Sequence, residues 1–229
     1  MKPILMTVFL LITFNVLAQE PYTNLYNDSN YQEYLSNLIE ESEKDNHYAQ
    51  NELAETYQDS DNPNMDLSQA VYWYEKAAEN GNANAALQLG SLYGAGVGGL
   101  EQDCEMSVYW LTKATKGFLS GIAWNNVAWT LVTCPDEKFI DAKRALEIMQ
   151  EHGEEFAQTA GALDTLAAIH AQLGNFVKAV VLQETALFLI EKEENKPRIE
   201  SMNERLKSYK SKKAWVGFAH SNPEDYIDH

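Results

Sequence analysis

Leu53-Ala54-Glu55-Thr56-Tyr57 returns 36 residues later as Leu89-Gly90-Ser91-Leu92-Tyr93, and again as Val127-Ala128-Trp129-Thr130-Leu131. Between these lies a second stretch, Ala70-Val71-Tyr72-Trp73-Tyr74-Glu75-Lys76-Ala77, which returns as Ser107-Val108-Tyr109-Trp110-Leu111-Thr112-Lys113-Ala114 at a spacing of 37. Both motifs place apolar residues at three- and four-residue steps, the period of a helix. In the first motif a small residue (Ala54, Gly90 or Ala128) stands three before a large one, which lets that helix sit close to a partner. The second motif brings the bulky contact, Trp73 or Trp110, followed four residues on by a small alanine. Neither helix can bury its apolar stripe alone, so alternating motifs predict stacked helix pairs sharing one continuous core. The expected fold is all-α, a solenoid of antiparallel helix pairs.

Working outward, Asn80-Gly81-Asn82 and Lys116-Gly117 read as glycine-type helix stops. Ala142, Ala145, Leu146 and Met149 share one stripe, and Leu163, Leu166, Ala167 and His170 form a further first helix closed by Gly174-Asn175-Phe176. Ala179, Leu182, Gln183, Ala186 and Ile190 make its second helix. Tyr31, Tyr34, Leu35, Leu38 and Ile39 predict an amphipathic helix before the repeats. Ile199, Met202, Leu206 and Tyr209 predict another after them, and an open array needs such terminal caps.

The ends bear on compartment. Met1-Lys2 is a short positive start, Ile4 to Leu17 is an apolar run, and Val16-Leu17-Ala18 offers a cleavage site before Gln19. That order predicts a secretory signal peptide at 1–18, too short to span a membrane comfortably. No cysteine follows Ala18 to carry a lipid, so the expectation is a secreted or periplasmic chain. The organisation then reads as an N-terminal segment and capping helix at 19–46, two repeats at 47–118 and further repeats at 119–195. A basic capping helix at 196–213 and a tail at 214–229 follow.

The net charge is −17, and −18 once Lys2 leaves with the signal. So acidic a surface repels phosphate backbones and anionic head groups, which argues against nucleic acid and general membrane binding. The local exception is 196–213, with seven basic residues against two acidic ones. This segment either pairs with its own acidic neighbours, the reading preferred here, or adheres to an anionic surface with strong salt dependence.

Leu89-Gly90-x-x-Tyr93-x-x-Gly96-x-Gly98 with Asp103, then Trp110-x-x-Lys113-Ala114, resembles the Sel-one-like repeat. Leu53-Ala54-x-x-Tyr57 with Asp66, Ala70, Trp73, Tyr74, Lys76 and Ala77 is similar, although its loop lacks the glycines. Leu163-x-x-Leu166-Ala167 with Gly174-Asn175-Phe176 resembles a tetratricopeptide repeat in which His170 and Gln183 replace the usual aromatics. The resemblance spans roughly residues 47–192. It implies a right-handed superhelix whose first helices line a concave binding surface, in families composed mostly of adaptors. The groove positions it implies are Tyr48, Asn51 and Glu55, then Leu87 and Ser91, then Asn125 and Trp129. Trp129 is either an aromatic anchor in the groove or a core residue against a neighbouring helix. The groove lacks lysine, so the tetratricopeptide clamp for C-terminal carboxylates is not reproduced.

Other chemistry finds little support. Gly94-x-Gly96-x-x-Gly99 fits a dinucleotide fingerprint by spelling, but a helix precedes it where a strand is required. His47, His152, His170, His220 and His229 lack metal-ligand spacing, and Glu151-His152-Gly153-Glu154-Glu155 reads as a solvated helix end. Neither Gly-x-Ser-x-Gly nor His-Glu-x-x-His occurs. No catalytic residue, metal or cofactor is expected. The function read from the sequence is a non-enzymatic scaffold in the cell envelope, binding a protein or peptide in its groove. The rival is an enzyme, or an enzyme's regulatory subunit, acting on envelope polymers.

Cys104 and Cys134 are the two cysteines. Export allows a disulfide, and the helix pairing puts the start of one helix beside the end of the next. A bridge between them is therefore expected, against the alternative of two buried thiols.

Overall fold

A computed structural model describes residues 29–153, 158–190 and 196–217. The proposed signal segment and the last residues of the tail lie outside them. Among the described residues the chain forms ten α-helices and no strand. They are α1 (Ser29–Glu43), α2 (His47–Gln58), α3 (Leu67–Glu79), α4 (Ala83–Ala95), α5 (Cys104–Ala114), α6 (Ser120–Thr133), α7 (Ala142–His152), α8 (Ala160–Gln172), α9 (Phe176–Ile190) and α10 (Lys196–Lys210). Each helix packs on the next, and α6 also packs on α4 and α8. That pattern is a solenoid, with the first helices of successive pairs side by side.

Capping chemistry explains where the helices begin. Asn46 and Asn82 cap the first helices α2 and α4, each side chain accepting backbone N–H bonds from the first turn. Asp66, Asp103 and Asp141 do the same for the second helices α3, α5 and α7. Such caps satisfy donors the helix cannot, each worth about 1 kcal/mol. The loops repeat too: Asp66 N–H donates to Tyr57 O, Asp103 N–H to Tyr93 O and Asp141 N–H to Leu131 O, each at 2.9 Å. The third loop has no glycines, yet it closes with the same bond.

One apolar cluster runs from Ala54 on α2 through Tyr74, Leu89, Leu111 and Val127 to Ile169 on α8. Gly90 shows why small residues recur in the first helices. A Cβ there would lie 2.6 Å from Leu111 Cγ, so the absent side chain is what lets α5 pack on α4. Gly117 serves differently from the expected stop. Its φ is not positive, and a Cβ on it would meet Ala83 Cβ at 2.3 Å. Close approach between the start of α4 and the α5–α6 turn is what requires glycine there.

Cys104, the first residue of α5, is bonded to Cys134 at the end of α6, with Cα atoms 6.2 Å apart. Antiparallel packing of α5 on α6 brings these ends together.

Candidate binding groove

The shared loop bonds set the register between pairs, and Leu166-Ala167 aligns α8 with Leu53-Ala54 of α2. Three columns of equivalent residues then cross the first helices: Tyr48, Asn84, Ile122 and Gly161; Asn51, Leu87, Asn125 and Asp164; Glu55, Ser91, Trp129 and Ala168. Asp164 and Trp129 face the same space, because one guanidinium touches both. Arg205 of α10 lies with its central carbon 5.1 Å from the Trp129 ring centroid. The same group donates to Asp164 through Nε (2.9 Å to Oδ1) and Nη2 (2.7 Å to Oδ2). Its third nitrogen, Nη1, donates to Ser201 Oγ at 2.7 Å.

This arrangement divides the three columns into a covered end and a less covered one. At the downstream end, Arg205 and Asp164 are 2% and 9% exposed, and α8 is buried along nearly its whole length. A bidentate pair with each nitrogen matched is the geometry in which a buried charge is tolerated. Gly161 leaves space that Arg198 fills, its Nη2 being 3.0 Å from where a Cβ would stand. Beyond α10 the chain turns back: Gly217 N–H donates to Thr133 O, and Gln172 Nε2 donates to both Val132 O and Trp215 O. Burial pushes the Tyr209 phenol up, with the Asp164 charge adding to it and Arg205 opposing.

Upstream, several of the equivalent positions are exposed. Tyr48 is 73% exposed, with its ring tilted against that of His47. Asn51 is buried, and its Nδ2 donates to Oε1 of the exposed Glu55 at 2.7 Å. Leu87 is buried, while Ser91 is half-buried and donates to Leu87 O. Asn125 is half-buried, and Oδ1 of both Asn51 and Asn125 has no hydrogen-bond partner. Trp129 is half-buried, with one side against the main core and a face under Arg205. It therefore touches both the main core and α10.

Two residues at the downstream end are absent from the groove set expected from sequence, Asp164 and Arg205. The available signal was a lone carboxylate in the apolar run Ala160-Gly161-Ala162-Leu163-Asp164-Thr165-Leu166, since a charge on a buried helix needs a partner. His152, expected at a solvated helix end, is the exposed last residue of α7, and its ring also stacks on Trp124 with centroids 4.2 Å apart. His170 is buried, its Nδ1 has no partner, and burial with the nearby Lys178 lowers its pKa. Among the described residues no three His, Cys, Asp or Glu side chains gather as a metal site.

The family comparison agrees with this geometry. Residues 47–82 and 83–117 each match the Sel1 repeat model. The crystal structure of a Sel1 repeat protein from Oxalobacter formigenes superposes with a TM-score of 0.55 at 20% identity, over 73% of this chain and 70% of that one. At that identity the likeness bears on the fold alone. No curated protein matches the chain. The chain thus carries two Sel1 repeats, α2–α3 and α4–α5, within an all-helical solenoid that continues through α10.

Proposed function

We propose that the concave face of α2, α4 and α6 binds a segment of another protein, making this chain a non-enzymatic scaffold of the cell envelope. Sel1 repeats generally mediate protein–protein interaction. The observation that carries the reading is the contrast along the groove. The α8 end is filled by the chain's own α10, whereas the equivalent positions upstream present Tyr48, Glu55 and Ser91 to solvent or partly so. Export is supported by the apolar run Ile4–Leu17 and by the Cys104–Cys134 bond, which suits an oxidising compartment. Among the described residues no helix is long and apolar enough to cross a membrane.

Photo-crosslinking in intact cells tests the binding face. A photoreactive phenylalanine derivative replaces Ser91 in the groove or Thr112 on the outer helix α5. A discrete adduct from position 91 and none from 112 is expected; equal labelling, or none at either, removes the groove as the binding surface.

A further inference from the structure

Resting on that reading, we propose that the open groove selects segments carrying arginine or lysine. The downstream end displays the recognition chemistry in cis. There the middle column offers a carboxylate, Asp164, the third column of the neighbouring helix offers an aromatic face, Trp129, and what they hold is a guanidinium. A guanidinium donates hydrogen bonds and accepts none, and it stacks on aromatic faces.

The upstream groove asks for the same chemistry. Neither α4 nor α6 contains a charged residue, so Glu55 is the one ionised group in the three columns across α2, α4 and α6. Asn51 orients its carboxylate, and among the described residues no basic side chain lies within ion-pair distance of it. The side-chain oxygens of Asn51 and Asn125 stand in one column but are buried, so the exposed Glu55 is the group that offers a basic segment its contact. Long-range charge points the same way, since a chain of net charge −17 attracts basic partners and repels acidic ones before contact.

The test uses fluorescence anisotropy of a labelled peptide with arginine at every fourth position in an alanine background. Its glutamate counterpart is run beside it against the exported chain at low and moderate salt. The arginine peptide should bind saturably, more weakly as salt rises, and the glutamate peptide should not bind. Glu55→Gln should weaken arginine-peptide binding about fivefold, the scale of one oriented ion pair. Glu105→Gln, on the outer helix α5, should change it less than twofold. Glu55→Lys should reverse the preference toward the glutamate peptide, and thermal melts should show both Glu55 variants folded. Equal loss in the Glu55→Gln and Glu105→Gln variants, preference of the unaltered chain for glutamate, or no arginine-peptide binding overturns the proposal. A discrete Ser91 crosslink without arginine-peptide binding leaves the groove as a protein-binding face and removes only the basic class. Absence of both removes both.

Discussion

Arg205 and Asp164, 41 residues apart in sequence, meet as a two-pronged pair with contacts of 2.9 and 2.7 Å, and that pair ties α10 to α8. Both groups are withdrawn from water, so each depends on the other for its charge to be tolerated. Arg205→Ala leaves Asp164 buried without a cation and should cost about 3–5 kcal/mol in urea unfolding. Arg205→Met with Asp164→Leu removes both charges and should lie much closer to the unaltered chain. Equal destabilisation by the single and double changes would show that packing of α10, rather than charge pairing, sets its position.

The close contact at Gly90 makes a second, independent prediction. Gly90→Ala places a methyl group 2.6 Å from Leu111 Cγ, so α5 must shift or Leu111 must leave its rotamer. Overpacking of this kind costs about 1–3 kcal/mol, which outweighs the helix-propensity gain of roughly 1 kcal/mol from replacing glycine. Combining it with Leu111→Ala should show coupling in a double-mutant cycle of equilibrium unfolding. Strict additivity would mean that the two positions do not meet.

The contrast between those two contacts shows what a sequence makes legible. Gly90 sits in a motif repeated three times, so comparison of Ala54, Gly90 and Ala128 reveals the small position, and helix periodicity places it on the packed face. Asp66 and Asp103 were legible in the first two repeats for the same reason, whereas Asp141, which closes the third loop with the same bond, lies where the motif residues have diverged. Arg205 belongs to no repeat. It lies in a basic run whose net charge suggested neutralisation by unspecified acids, and Lys210 does pair with Glu184 at 2.8 Å in that manner. Little local distinguishes Arg205 from its neighbours, because apart from Ser201 its partners sit on α6 and α8. Trp129 stayed undecided between core and groove for the same reason: the group that covers it comes from a helix remote in sequence.

The disulfide predicts behaviour under reduction. Cys104–Cys134 closes a separation of 30 residues between neighbouring helices. By the chain-entropy argument it should contribute about 3–4 kcal/mol by restricting the unfolded chain. Cys104→Ser with Cys134→Ser should lower the urea midpoint accordingly while preserving helix content. Thiol titration of the denatured exported chain should find no free thiol before reduction and two after it. Two thiols before reduction would mean that the bridge is not formed in the exported protein.

His170 gives the array a dependence on mild acid. It is 7% exposed on α8, where tetratricopeptide-like repeats favour an aromatic, and its Nδ1 has no partner. Loss of hydration, with the positive Lys178 nearby, disfavours the imidazolium and lowers its folded pKa below the ordinary 6.5. The unfolded chain therefore takes up the proton first as pH falls. Stability from the neutral, buried ring is fully present above about pH 6.5 and is lost as pH drops through the lowered folded value, after which the loss levels off. Carboxylates titrate lower in the same direction, so the comparison must be differential. His170→Phe keeps an aromatic ring and removes the titration. Its unfolding free energy relative to the unaltered chain should be constant above about pH 7 and become more favourable as pH falls below about 6.5. A difference that stays flat across that window would show that His170 accepts its proton as readily in the fold as out of it, and the buried neutral ring would have to be abandoned.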